Sequence, residues 1–168
     1  ETSLCSKARV LAEYVNAHPE LTVDVGQVLF GETTSMTGDG PLGYYLQKVS
    51  GKKWYSADTE LESGCGVSPI EYKNKNFIHA LQWAIGLEWY LLVADPWQVV
   101  MSTDHPNGGS FLAYPQIIRL LMDREFRREM VAQLNPAVLK HSCLADLDRE
   151  YTLSEIAVIT RAGPARIL

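Results

Sequence analysis

Apolar residues recur at helical spacing over residues 3–17, SLCSKARVLAEYVNA, where Leu4, Ala8, Leu11, Ala12 and Val15 fall on one face. His18-Pro19 ends that helix. The stretch LTVDVGQVLF, residues 21–30, is short and rich in β-branched residues, which predicts a buried strand. Residues 31–43 hold four glycines and a proline and read as loop. A short helix over 42–50 closes at Gly51. KWYSADTEL, 53–61, is a second strand candidate, and ESGCGVSP, 62–69, another loop. Residues 77–94 are mostly apolar on every face, the pattern of a helix buried among neighbours. Asp95-Pro96 breaks it, and WQVVMST, 97–103, is a third strand. A helix over 114–133 carries Ile117, Ile118, Leu121 and Met122 on its apolar side and ends at Asn135-Pro136. The last stretch, YTLSEIAVITRAGPARIL, predicts a helix capped by Thr152 or Ser154, with Ile156, Ala157 and Ile159 apolar and a break at Gly163-Pro164.

Strands alternating with helices imply βαβ units and a parallel sheet, hence an α/β fold. In such sheets chemistry sits beyond the carboxyl ends of the strands. That rule puts Asp104, after strand 97–103, on the functional face. Glu32, Thr33 and Thr34 follow strand 21–30 on the same face, and Glu62, Ser63, Cys65 and Ser68 follow the 53–61 candidate. His18 precedes its strand and falls on the opposite, structural face.

Composition narrows the partners. The 168 residues suit one domain or part of a larger one, and a net charge of -5 offers no basic surface for nucleic acid or anionic lipid. Three cysteines, Cys5, Cys65 and Cys143, lie far apart and form no CxxC, which argues for a reducing, cytoplasmic setting. His79, Gln82 and Glu88 interrupt the apolar run 77–94, and spanning a bilayer takes about 20 predominantly apolar residues, so no membrane segment is expected. The start at Glu1 and the end at ARIL suggest a piece of a longer polypeptide.

Asp104 opens DHPNGG, residues 104–109, and two readings of it stand side by side. It opens an Asx turn helped by Pro106, Asn107 and Gly108. Alternatively, it is a carboxylate that binds a divalent metal or takes a proton from metal-bound water. His105 is either a neighbouring ligand or points away, since adjacent residues on an extended chain face opposite sides. Cys65, between two glycines, is a nucleophile candidate with no histidine placed beside it. His79 and His141 read as ordinary core or surface histidines, and Trp83, Trp89, Tyr90 and Trp97 as core packing. Asp24 and Gln27 are polar groups in an apolar strand and need partners if buried. Gln27 is nearer the carboxyl end and is the further candidate for substrate binding.

Four stretches, VDVGQVLFG (23–31), LESGCGVSP (61–69), NFIHALQWAIGLEWYLLVADPW (76–97) and STDHPNGGSFLAYP (102–115), together resemble the α subunit of formylmethanofuran dehydrogenase. The bacterial version, the α subunit of the formyltransferase/hydrolase complex, is the closer likeness. The final helix is similar to the last helix of the amidohydrolase superfamily barrel. The resemblance implies the carboxyl-terminal portion of a metal-dependent-hydrolase, TIM-like (βα)8 barrel, about three βα units in one partial domain over 1–168. It implies a two-metal centre, usually zinc, held by an HxH, a lysine, histidines and an aspartate at the end of the last strand. Asp104 matches that aspartate through its TDHPNG setting, both as metal ligand and as the catalytic group that accepts the water proton and delivers it to the leaving amine. His105 and Asn107 would line the site. The substrate implied is the N-formyl group of formylmethanofuran or its bacterial analogue, giving formate in C1 metabolism. The partners implied are the other subunits of such a complex.

A barrel of this class needs roughly 250 residues, and the HxH, the lysine and the middle-strand histidines are absent from this sequence. The chain by itself is therefore expected to be inactive, and its uncovered apolar faces favour self-association. SMTGDGPLGYY, 35–45, departs from the family pattern. Two other readings stand beside this one: a shortened non-catalytic paralogue that binds partner subunits, and another amidohydrolase such as a dihydroorotase-like enzyme or deacetylase, against which the long helix and the DHPNGG loop argue.

Overall fold

The computed structural model describes residues 4–37, 44–45, 48–49, 51 and 66–168. The first helix, α1 (Ala8–Ala17), buries Ala8, Ala12 and Val15. Leu4 and Leu11, expected on the same face, are about half exposed, because the helix starts later and lies on the outside of the molecule. Strand β1 (Val23–Gly26) follows. The chain then folds into a hairpin, β2 (Gly31–Thr37) with β3 (Gly66–Tyr72), antiparallel with Gly31 opposite Tyr72. Helix α2 (Phe77–Leu92) leads through the short turn Pro96–Gln98 into β4 (Val99–Ser102). Helices α3 (Tyr114–Met122) and α4 (Arg124–Ala132) come next, and α5 (Leu153–Ala157), a π-helical turn Val158–Ala162 and α6 (Gly163–Ile167) end the chain.

The α/β expectation holds in β1–α2–β4. The two strands pair in parallel, Val23 beside Val99 and Gly26 beside Ser102, with α2 as the crossover. Val25, Val99 and Met101 join Trp83, Leu87 and Tyr90 in one core between sheet and helix. The expectation of loop at 31–43 and 62–69 is corrected: residues 31–37 and 66–72 are strands. Glycines and prolines mask the extended pattern there, and pairing across the hairpin supplies the order. The 53–61 strand, the loop residues Glu62, Ser63 and Cys65, and most of the 42–50 helix lie outside the described residues. Helix 114–133 is two helices. Asp123 ends α3, and its carboxylate accepts the Phe126 N–H at 2.8 Å to cap α4.

Buried polar groups explain how the pieces lock. Gln98 donates to the carbonyls of Val15, His18 and Leu21 at 2.9–3.1 Å, tying the start of β4 to the end of α1. Arg127, 2% exposed, donates to the carbonyls of Leu120, Leu147 and Arg149. Arg149 reaches the carbonyls of Tyr90, Val93 and Ala94 at the end of α2, and its other side meets Glu155 at 3.1 Å. The helix carbonyls left without N–H partners at a C-terminus are thereby satisfied. Thr152 and Glu155 form a reciprocal capping box at the start of α5.

Candidate active site

Both parallel strands run the same way, so Gly26 and Ser102 mark one end of the sheet. Thr103 follows β4, 1% exposed, and Asp104 emerges beyond it into solvent. Asp104 is the described non-glycine residue with left-handed backbone, φ 47°. That conformation is uncommon for residues with a Cβ and is best tolerated by Asn and Asp. The loop enforces it. Asn107 N–H donates to the Asp104 carbonyl at 2.6 Å, and the Asn107 amide donates to Asp104 Oδ2 at 3.0 Å. Gly108 N–H donates to the Thr103 carbonyl at 3.0 Å, and Leu29 N–H to the Gly108 carbonyl at 2.8 Å. The His105-Pro106 bond is cis. Asp104 thus opens the turn, and the turn holds its carboxylate at the carboxyl end of the sheet.

The glycines show how closely the loop is seated. A Cβ on Gly26 would lie 3.1 Å from Asp104 Cβ. A Cβ on Gly108 would meet the Thr103 carbonyl oxygen at 2.5 Å and that of Gln27 at 2.9 Å. The strand VDVG therefore ends at a glycine where an added Cβ would stand tight against the aspartate of the loop after β4.

The hairpin also reaches the site. Thr33 Oγ1 on β2 donates to the Pro106 carbonyl. Glu32, Thr33, Thr34, Pro69 and Ile70 line a cleft of about 370 Å³ on it. Tyr72, the last residue of β3, is half-buried; burial first and the Asp104 charge second push its phenol above its ordinary value. Its ring lies edge-on to His79 at 5.1 Å. His79 Nδ1 accepts the Lys73 N–H at 3.0 Å, and burial, with Lys73 behind it, holds the imidazole below its usual range.

The remaining predicted residues are placed as follows. The His105 ring stands edge-on to Phe111 at 5.0 Å, with Nδ1 3.4 Å from the Gly109 carbonyl, so it lies along the loop. Asn107 is partly buried and braces Asp104. Gln27 is corrected. Its side chain is fully buried under α2, donating to the carbonyls of Val28 at 2.8 Å and Trp83 at 3.1 Å, and does not line the rim. Asp24 points the other way and is exposed. His18 stacks on Tyr14 at 4.0 Å at the opposite end of the sheet, and His141 sits edge-on to Phe77. Of the tryptophan set, Trp83 is fully buried, whereas Trp97 is 39% exposed beneath Arg166.

A metal site needs several donors. Asp104 is one carboxylate, and no three His, Cys, Asp or Glu side chains come together to hold an ion among the described residues. The described residues do not form a metal centre by themselves. Among the same residues no helix is long and apolar enough to cross a membrane.

Comparison with known proteins places this geometry. The chain is 46% identical over 164 residues to Protein FwdA of Methanocaldococcus jannaschii, covering 97% of this chain and 29% of that protein. It is 43% identical over 178 residues to FhcA of the formyltransferase/hydrolase complex of Methylorubrum extorquens, covering 100% of this chain and 31% of that protein. In structure it is similar to a chain of the formyltransferase/hydrolase complex (FhcABCD) from Methylorubrum extorquens, solved by X-ray crystallography in complex with methylofuran. The TM-score is 0.87 at 42% identity, covering 97% of this chain and 30% of that one. The chain thus spans less than a third of each relative's length. The amidohydrolase family profile matches residues 1–168 from end to end, and the chain belongs to the amidohydrolase family.

Proposed function

We propose that this chain contributes the Asp104 loop to a metal-dependent amidohydrolase that hydrolyses, or forms, the N-formyl group of formylmethanofuran or a bacterial analogue. The observation that carries the reading is the placement of Asp104: an exposed carboxylate at the carboxyl end of two parallel strands, fixed by Asn107 and by the absent side chain of Gly26. Its neighbours fit a proton-transfer role. Asn107 engages Oδ2, and the other oxygen is the one available to take a proton from water and give it to the leaving amine. The products are formate and the free amine. The metal, zinc by the resemblance, would supply water activation, and Asp104 is the ligand that this chain brings to it. The other ligands lie outside this chain. Partner subunits of a formyltransferase/hydrolase complex, and a cytoplasmic setting, belong to the same proposal.

The test is formate release from formylmethanofuran by the chain, alone and mixed with the part of Methylorubrum FhcA outside the matched stretch. The chain alone is expected to be inactive. The mixture is expected to release formate, and Asp104→Asn to lower the rate by a factor on the order of 10²–10⁴. An unchanged rate in Asp104→Asn would end the proposal.

That no three His, Cys, Asp or Glu side chains gather to hold an ion among the described residues favours one second reading, a non-catalytic module that packs against partner subunits. A coding sequence whose start codon immediately precedes Glu1 would select it. An upstream frame with an HxH, a lysine and histidines would select the enzyme.

A further inference from the structure

The proton transfer assigned to Asp104 leaves Tyr72 unused. This tyrosine ends β3 opposite Gly31, and Thr33 of β2 stands opposite Ile70. Cross-strand partners share a face of a sheet, and so do alternate residues along a strand. Gly31, Thr33, Ile70 and Tyr72 therefore lie on one face of the hairpin. Thr33 identifies that face, because its hydroxyl donates to the Pro106 carbonyl within the Asp104 loop. Glu32 and Glu71, paired on the other face, are exposed. The hairpin thus turns Tyr72 toward the loop that carries Asp104.

The ring is held and the hydroxyl is not. His79 meets the ring edge-on at 5.1 Å. The hydroxyl of this half-buried residue has no hydrogen-bond partner among the described residues. Open space stands opposite it, where a Cβ on Gly31 would meet nothing within 4 Å. The Asp104 charge reaches the phenol without a hydrogen bond between the two, and together with burial it keeps the hydroxyl protonated. A donor on the hairpin and a base on the loop therefore face the same gap. A formamide offers an oxygen that accepts and a nitrogen that must gain a proton, which suits such a pair.

We infer that the Tyr72 hydroxyl donates a hydrogen bond to the oxygen of the substrate's N-formyl group, across the reacting carbon from Asp104, and stabilises the charge that develops there. As water adds to the formyl carbon, the carbonyl π pair moves onto its oxygen. Tyr72 donates to that oxygen and keeps its own proton. The proton that Asp104 takes from the water goes to the amine nitrogen as the C–N bond breaks. The inference rests on the amidohydrolase reading of Asp104 and adds a second catalytic residue to it.

The experiment measures formate release by the chain mixed with the part of Methylorubrum FhcA outside the matched stretch, using Tyr72→Phe, which keeps the ring against His79. We expect kcat to fall by a factor on the order of 10², with KM nearly unchanged and the melting temperature of the chain kept, since no protein group loses a partner. A second measurement uses the chain alone, with its tyrosines isotope-labelled at Cζ for NMR. The Tyr72 line, assigned by its loss in Tyr72→Phe, should titrate at lower pH in Asp104→Asn than in the parent. An unmoved midpoint, or Tyr72→Phe at the parent rate while Asp104→Asn is slow, would overturn the inference. Asp104→Asn at the parent rate would instead remove the reading of Asp104 itself, and the inference with it.

Discussion

Gly26 and Asp104 occupy neighbouring strand ends so closely that a Cβ on the glycine would stand 3.1 Å from the aspartate's own. The contact couples the end of β1 to the position of the carboxylate. Gly26→Ala must push Asp104 by a few tenths of an ångström, and the exposed loop yields to it. We expect stability to change by less than about 1 kcal/mol. Formate release in the reconstituted subunit should fall about tenfold, because small misplacements of a reacting group are costly. A variant that loses stability and keeps its rate would show that the contact is structural only.

Gly108 gives the opposite balance. The atoms its Cβ would meet are backbone oxygens of Thr103 and Gln27, at 2.5 and 2.9 Å, in two different elements. Neither swings aside as a side-chain end does. Gly108→Ala is expected to cost about 1–3 kcal/mol, which lowers the melting temperature by about 2–4 °C per kcal/mol for a domain of this size. Gly31→Ala meets nothing nearby and strains only its backbone, φ 124°. Differential scanning calorimetry of the two variants separates crowding from conformation.

Arg149 closes the carboxyl end of α2. Replacement by leucine leaves the carbonyls of Tyr90, Val93 and Ala94 without this donor and Glu155 without its cation. Urea denaturation should show a loss of about 2–3 kcal/mol. Lysine supplies charge without the planar fork and should recover less than half of the loss. Full recovery by lysine would mean that charge, not the array of carbonyls, is what the site requires.

Alkaline pH should unfold the chain through Tyr151. Burial pushes its phenol up to about 12 from its ordinary 10, and its hydroxyl donates to the Tyr90 carbonyl at 2.6 Å. A folded value above the unfolded one means that the contribution is fully present below pH 10 and is lost as pH rises through 12. At most about 2–3 kcal/mol is involved. Tyr151→Phe should be about 1 kcal/mol less stable at neutral pH, having lost the hydrogen bond. It should also show a shallower decline above pH 10 in urea titrations.

The helices and the parallel pair were legible in the sequence because each has a strong local pattern. Residues 77–94 are apolar all round, and α2 is buried over Phe77–Leu92. The strand around Val23–Gly26 and that around Val99–Ser102 are β-branched and flanked by breaks. The hairpin was not legible. Its strands carry glycine, threonine and proline, and their order comes from pairing between segments far apart in sequence. The useful signal was VSPIEY before Asn74, where extended residues run up to the start of α2. Asp123 was hidden inside an apolar period that continues through it, although an aspartate three residues before Phe126 is a cap signature. At the candidate site the rule about strand ends placed Asp104 correctly beyond β4. The same rule failed for Gln27, because distance along a strand says nothing about which face a side chain takes.

The pairing of Val23 with Val99 has a consequence in time. During synthesis at about 5–20 residues per second, β1 waits roughly 4–15 s for β4 to be made. A strand with an open edge is an aggregation hazard over that interval. Helix α2 is complete before β4 exists, and it already holds β1: Tyr90 donates its hydroxyl to the Val25 carbonyl, and Gln27 donates to the Trp83 carbonyl. Strand and helix can therefore emerge as a guarded pair, and the last strand arrives at an edge that has been kept in register for it.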